Sequence, residues 1–371
     1  MVYYGLAILE PSYFLVAAAV ICSIVSIATG SSWSTVATVG VALIGIGNAL
    51  GAPAAMTAGA IISGAYFGDK LSPLSDTTNL AAAMAGTDIV THIRYMLWTT
   101  VPSMLIALGL FWYLGSTLAT QAIDQADVTA LSDLIADRFT VSPWLFLVPA
   151  IVIGLVICRI DALIALFVGT LLEIELAAEL TEAELTAVDN KNLESLTSTS
   201  RARVFASKLL SAGGMSGMLN TIWLIVCAMC FGGVMEACGL LQRITDSLVG
   251  FAKSTGSLIA TTASTCLFLN FTASDQYLAI VVPGRMFRKT YEDRGLAPEN
   301  LSRTLEDSGT VTSVLVPWNT CGAVQASVLG VATIDYAGYS FFNYISPLMT
   351  IAIGFVGIGI VKLATTKTKE N

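Results

Sequence analysis

Apolar runs of 16 to 20 residues recur along this 371-residue chain, and that feature alone removes most architectures. The runs are continuous rather than alternating over ten-residue segments, so they read as helical spans and not as strands of a barrel. Charged residues make up 12% of the sequence, against about 25% in soluble domains, and hydrophobic residues 55%. The expected class is an all-α polytopic membrane protein. Backbone that leaves a helix inside lipid strands amides and carbonyls, each costing several kcal/mol unless it is paired, so any break within a span needs a reason.

Four runs carry such breaks. Ser12 to Ala28 ends at "TGSSW" (Thr29 to Trp33), and the run up to Phe67 leads into "GDKLSPLSDTTN". Ser257 to Pro283 is interrupted by "NFTASDQ", and Val311 to Val331 by "PWNTCG". The breaks come in two pairs of the same order. "GDKLSPLSDTTN" brings Asp69 39 residues after Gly30, and "EDSGTVTSVLVPWNTC" brings Asp307 32 residues after Asp275. Each pair opens with small hydroxyl residues. Each then has an Asp (Asp69, Asp307) followed three positions on by a hydroxyl (Ser72, Thr310), then proline and an Asn/Thr cluster. Paired interruptions at matching positions point to the binding site of a secondary transporter. The expected fold is an inverted-repeat secondary transporter with paired discontinuous helices. Residues 1–116 form a first repeat, 117–218 acidic connectors around a helix pair, and 219–371 a second repeat with a cytoplasmic tail.

Carboxylates, hydroxyls and unwound carbonyls together make a hard-oxygen shell suited to an alkali cation, and an intramembrane Asp marks an ion or proton path by default. Asp76 and Asp275 are the principal candidates, with Asp69 and Asp307 in support. Around them stand Thr29, Ser31, Ser32, Ser72, Ser75, Thr77, Thr78, Asn79, Thr272, Ser274, Thr310, Thr312, Asn319 and Thr320. Each has a plainer reading. Hydroxyls in membrane helices bond back to their own backbone. Asp69 beside Lys70 reads also as a charge pair near an interface, Glu306 and Asp307 as an N-terminal cap, and Glu236 as a helix end.

The net charge of −8 is local. Segment 117–142 contributes −3 and segment 173–200 contributes −6, leaving +1 for the rest, so the acidity belongs to two solvated connectors. It implies no nucleic-acid or anionic-lipid partner. Cys227 and Cys230 form a C-x-x-C inside "IVCAMCFGG", where small residues facing lipid or another helix explain them better than a metal or redox role. One histidine, His92, and no H-E-x-x-H exclude a His-rich metal site and the usual intramembrane enzymes. His92 and Arg94 read as an interface before a span from Tyr95 to Leu114, and "RARVFASKLL" as a surface helix. Arg285, Arg288, Lys289, Arg294 and Arg303 mark residues 285–303 as a cytoplasmic loop, which also puts the C-terminus inside. The parity of the spans before residue 219 stays open.

Four long stretches carry a resemblance: "TGSSWSTVATVGVALIGIG", "GAIISGAYFGDKLSPLSDTTNLAAAMAGTDIVTHIRYMLWTTVPS", "TASDQYLAIVVPGRMF" and "RGLAPENLSRTLEDSGTVTSVLVPWNTCGA". Together they are similar to the NhaC family of sodium/proton antiporters, nearly end to end. The resemblance implies exchange of cytoplasmic Na⁺ for external H⁺ by an all-helical carrier of the cell (inner) membrane. Its partners would be the two ions and the bilayer, with no cofactor, and a homo-oligomer is left open. The family also contains a sodium-lactate/malate-proton exchanger, so it does not fix the cargo. Relatives carry membrane helices before the point matching Met1, which implies either a late gene start or a truncated product. Segment 173–200 is longer than the resemblance implies.

The mechanism expected is one carboxylate, Asp76 or Asp275, that holds Na⁺ or a proton but never both. A solvated carboxylate of pKa about 4 would exchange few protons near neutrality, whereas desolvation disfavours its charged form. Asp76→Asn is then expected to abolish Na⁺-dependent proton movement. Two rivals stand beside this. A Na⁺-coupled organic-acid exchanger would hold its substrate at half-helix N-termini near Asn79 and Asn319, with Lys70 the one cation near in sequence. A non-transporting membrane scaffold is the rival of another class.

Overall fold

In each half of the chain, two helices stop and restart inside the protein. The computed structural model describes residues 11–118, 214–240 and 254–363, with isolated positions between them. The two acidic connectors, most of the helix pair between them and "RARVFASKLL" lie outside the described residues. In the first half, α1 (Pro11–Thr29) breaks at Gly30 and Ser31 and restarts as α2, which runs from Ser32–Thr35 through a π-helical turn, Val36–Gly40, to Val41–Ala49. α3 (Ala54–Leu71) breaks over residues 72–75 and restarts as α4 (Asp76–Ala85), after which comes α5 (Ile89–Leu118). In the second half, α6 (Gly214–Ala237) precedes α7 (Thr255–Thr272), which breaks over residues 273–275 and restarts as α8 (Gln276–Asp293). α9 comprises Pro298–Leu305, a π-helical turn, Glu306–Thr310, and Val311–Ser313; it breaks over residues 314–319 and restarts as α10 (Thr320–Leu329). The short α11 (Thr333–Ala337) and α12 (Phe341–Val356) complete it. Among the described residues there is no strand, only an isolated bridge between Leu296 and Lys362.

Among the described residues three helices are long and apolar enough to cross a membrane: α1, α2 and the 30-residue α5. α5 shows why. Met96, Met104, Ala107 and Phe111 are buried on one face, while Trp98, Leu105, Trp112 and Tyr113 stand exposed on the other, as on a helix between protein and lipid. It starts at Ile89, earlier than the span expected from Tyr95, so His92 is part of the helix and fully buried rather than marking an interface.

α3 occupies the opposite niche and is buried along almost its whole length, Thr57 to Lys70. It packs along α1, which is possible because Gly64 and Gly68 carry no side chain: a Cβ at either would strike the carbonyl oxygen of Ala19 or Ser23. Ser26 Oγ donates to the Ala65 carbonyl at 2.6 Å across the same seam. α12 closes the bundle against α5 and α7, and Phe342 meets Phe67 edge-on at 5.6 Å. The halves interlock, with α4 lying on α8 and α9.

The expected basic loop 285–303 is not a loop. α8 extends to Asp293, a short turn follows, and α9 begins with Pro298 at its first position. Pro298 fixes the helical φ where the missing N–H costs nothing. Arg303, counted among the loop cations, is completely buried on α9.

Candidate functional site

Every one of the four restarts is capped by a side chain. Ser31 Oγ accepts from Ser34 N at 3.2 Å, and Ser75 Oγ from Thr78 N at 3.4 Å. Asp275 Oδ1 accepts from Tyr277 N at 2.8 Å and Leu278 N at 3.1 Å, and Asn319 Oδ1 from Cys321 N at 3.1 Å. The hydroxyl, amide and carboxylate residues that interrupt the apolar runs thus satisfy amides that a break would strand in lipid. The first break of each half shares one more device. Gly30 (φ 69°) and Ser274 (φ 59°) both adopt the left-handed conformation one residue before the cap. For a serine this costs about 1–2 kcal/mol. It is held by tertiary structure, since the Ser274 carbonyl accepts from Thr320 N at 3.0 Å, joining the two breaks of the second half.

The breaks of the first half are joined at Asp69. Its Oδ2 accepts from Ser32 N at 3.0 Å and Ser32 Oγ at 2.7 Å, fixing the end of α3 to the start of α2. Gly30 lies so close to residues 74 and 75 that a Cβ would approach Leu74 Cβ to 2.6 Å. In the second half Asn270 Nδ2 donates to the Gly309 carbonyl at 2.7 Å and to Thr312 Oγ1 at 3.0 Å, while Asn319 Nδ2 reaches Asn270 Oδ1 at 3.2 Å. Asn343 Nδ2 donates to the Val311 carbonyl at 2.7 Å. Side chains from α7 and α12 thereby pair carbonyls that the π-helical turn of α9 would leave without ladder partners.

Where the halves meet, ionisable groups are buried. Lys70 at the end of α3 forms an ion pair with Asp307 in the π-helical turn of α9; both side chains are fully inaccessible. Ser346 of α12 hydrogen-bonds both partners, at 2.8 Å to Asp307 Oδ1 and 3.2 Å to Lys70 Nζ. Thr77 Oγ1 donates to Glu306 Oε1 at 3.2 Å, and Thr78 Oγ1 to the Lys70 carbonyl at 3.1 Å. The first turn of α4 therefore bridges Asp69–Lys70 and Glu306–Asp307. One oxygen of each of three acids, Asp69 Oδ1, Glu306 Oε2 and Asp307 Oδ2, is buried without a well-aligned hydrogen bond, as are the hydroxyls of Ser308 and Thr310, although Ser75 adjoins Asp69 and Thr310 adjoins Glu306. Buried polar oxygens left unpaired cost free energy, so a cluster of them signals a ligand or solvent. Among the described residues no three acidic, His or Cys side chains converge as a metal cage. A hard cation here would draw on hydroxyl and carbonyl oxygens as well.

The candidates separate into three groups. Asp69, Asp307, Ser32, Ser75, Thr77, Thr78 and Thr310 line or adjoin this centre. Asp275, Asn319, Ser31 and Ser274 build the breaks, with Thr312 and Thr320 tied into the same joints (Thr320 Oγ1 lies 3.4 Å from Asn319 Oδ1). Others make local bonds: Thr272 Oγ1 to the Phe268 carbonyl at 2.8 Å, Asn79 Nδ2 to the Ser75 carbonyl at 2.6 Å, and Thr29 Oγ1 to Thr35 Oγ1 at 3.3 Å, while Ser72 Oγ crosses from the α3 break to the Ile27 carbonyl of α1 at 2.8 Å. Asp76 is exposed, its Oδ2 accepting from the Tyr277 hydroxyl at 2.5 Å. Asp275 is buried but committed to its cap. Glu306 and Asp307 do not cap a helix; they sit in the middle of α9 with no solvent exposure. Lys70 pairs across to Asp307 rather than with its neighbour Asp69. Glu306 was absent from the candidate set. The signal for it is the polar spacing Asn300, Arg303, Asp307, Thr310 behind a helix-starting proline, a helical period that the density of charge disguises. Cys227 and Cys230 are free and exposed on α6.

Residues 64–358 match the Na⁺/H⁺ antiporter family, a stretch that contains the ion pair, the capped breaks of α4, α8 and α10, and the unpaired oxygens. The chain is 41% identical over 370 residues to the Na⁺/H⁺ antiporter NhaC of Alkalihalophilus pseudofirmus, an alignment covering 100% of this chain and 80% of that one. It is 39% identical over 361 residues to NhaC of Bacillus subtilis, covering 96% and 79%. With the malate-2H⁺/Na⁺-lactate antiporter of Bacillus subtilis it shares 33% identity over 377 aligned positions, covering 100% and 79%. A helical protein with spans apolar enough for the membrane, matched over most of its length in this way, belongs to the Na⁺/H⁺ antiporter family.

Proposed function

We propose that this chain exchanges Na⁺ for H⁺ across the cytoplasmic membrane through the centre formed by Asp69, Glu306 and Asp307. The observation that carries this reading is the set of unpaired, fully enclosed oxygens on those acids and on Ser308 and Thr310. Lys70 is paired with Asp307 and also lies within electrostatic reach of Glu306, so one ammonium serves a centre of three carboxylates. Asp69 and Glu306 lie within electrostatic reach of each other and need further positive charge, since like charges in a buried site repel strongly. A proton on one carboxylate or a Na⁺ against both supplies it. Either ion removes the place of the other, and that exclusion couples the two fluxes. Reorientation of the breaks between the two faces would complete the cycle, with the two pairs of discontinuous helices acting as inverted repeats. The burial of the carboxylates makes return without a cation costly, which suppresses uncoupled leak.

The relative named for malate and lactate favours a second reading, a Na⁺-coupled organic-acid exchanger. Lys70 is already engaged by Asp307 and Ser346, and the relatives named Na⁺/H⁺ antiporter NhaC align at 39–41% identity against 33% for this one. Cation exchange is therefore the better supported of the two.

The test is Na⁺-driven pH change in proteoliposomes of the purified chain. Asp69→Asn and Glu306→Gln should each abolish it, with lactate and malate making no difference to the unsubstituted protein. Full exchange in both variants would remove this centre from the transport path.

A further inference from the structure

Arg303 is the largest fully buried side chain of the described residues, and none of its three guanidinium nitrogens has a hydrogen-bond partner. Among the described residues no carboxylate lies within ion-pair distance of it. The ring of Tyr95 lies 4.6 Å from the guanidinium carbon, and Tyr291 is within electrostatic reach. Tyr95 comes from α5, where His92, also fully buried, leaves both ring nitrogens without a partner. Lys70 lies within electrostatic reach of both Arg303 and His92, and its own acid is Asp307.

The acceptors nearby are already spent. Asn300 Oδ1 takes the Tyr95 hydroxyl at 2.5 Å and Val361 N at 3.3 Å. The Val361 carbonyl takes Asn300 Nδ2 at 2.7 Å and Ala297 N at 3.0 Å. The Asn300 carbonyl takes Thr304 Oγ1 at 2.8 Å, and Thr262 Oγ1 lies 3.3 Å from the Tyr291 hydroxyl. What remains is a surplus of donors around a buried positive charge. A cation–π contact offsets only part of the cost of removing a guanidinium from water, and a buried charge is otherwise paired or solvated. The chemical complement of a planar fork of N–H groups over Tyr95, with the His92 imidazole one turn earlier on α5, is an anion.

We propose that Arg303, with His92 and the face of Tyr95, forms a binding site for a small monovalent anion, a halide or a short monocarboxylate, distinct from the cation centre and one helical turn from Glu306 along α9. The anion supplies the missing counter-charge and shields the Lys70–Asp307 pair from the guanidinium. Water alone would hydrate Arg303 without concentration dependence, which separates the two cases.

The full chain in detergent, in a choline buffer with a bulky sulfonate as the sole anion and no Na⁺, is titrated with choline chloride or choline acetate at constant ionic strength. Thermal unfolding is followed throughout. The midpoint should rise saturably by several degrees with at least one of the two, and which one identifies the anion. Arg303→Gln should remove the rise, and His92→Phe, which takes away the ring N–H donor, should raise the half-saturating concentration about fivefold. No saturable rise with either anion overturns the site. So does an unchanged rise in Arg303→Gln or, if that variant does not fold, an unchanged half-saturation in His92→Phe. The readout contains no transport step and no Na⁺, so it stands or falls apart from the exchange centre.

Discussion

Lys70 of α3 and Asp307 of α9 form an ion pair across the two halves of the protein, both fully buried and both held by Ser346. Lys70 lies beside the α3 break and Asp307 in the π-helical turn of α9, so the pair ties the irregular parts of the halves together at the point where unpaired acid oxygens gather. Removing one partner leaves a lone buried charge. Lys70→Ala and Asp307→Ala should each destabilise by about 3–5 kcal/mol, while Lys70→Met with Asp307→Leu should recover most of that loss. Unfolding midpoints of the purified variants check this, and exchange should remain absent in the double variant because Asp307 supplies one of the free oxygens.

The hydrogen bond from the Tyr277 hydroxyl to Asp76 joins the first turns of α8 and α4 at an exposed position. Asp76→Asn and Tyr277→Phe should therefore keep Na⁺-driven proton movement. Loss of exchange in Asp76→Asn, with the protein still folded, would restore the expectation that its sequence context raises.

The seam between α1 and α3 depends on missing side chains. Gly68→Ala forces a methyl group onto the Ser23 carbonyl and should cost about 1–3 kcal/mol, as overpacking does. Gly109→Ala on α5, where an added Cβ meets nothing within 4 Å, should be neutral or slightly stabilising. Expression and melting temperature of the two variants side by side make the comparison.

Ser274 holds a left-handed conformation that a Cβ resists. Ser274→Gly should therefore leave thermal stability unchanged or raised, by up to about 1–2 kcal/mol. A marked fall would mean that the serine side chain contributes a contact beyond its backbone geometry.

Much of this was legible because lipid permits so few backbone arrangements. A hydroxyl, glycine or amide cluster inside an apolar run can hardly be anything but a break, so "TGSSW", "SPLSDTTN", "TASDQ" and "PWNTC" all coincide with helix ends. Which acids face inward was not legible. Asp76 and Asp275 sit at or beside cap positions, where a carboxylate turns back to its own helix or out to solvent, and pattern alone does not tell a capping acid from a ligating one. Residues 298–307 misled for a related reason. Arg303, Glu306 and Asp307 give the stretch the composition of a solvated loop, yet they lie on a helix packed among α4, α5, α7 and α8, where charge is tolerated because Asp307 has a partner reaching in from the other half.

The central claim, that Na⁺ and the proton compete for the oxygens of Asp69 and Glu306, is tested most directly by proton release when Na⁺ is added to the purified protein in weakly buffered detergent solution. Release should saturate with Na⁺, shrink as the starting pH is raised until the site is already deprotonated, and vanish in both Asp69→Asn and Glu306→Gln. Na⁺ binding without any proton release at acidic pH, or release that persists undiminished in both variants, would contradict it.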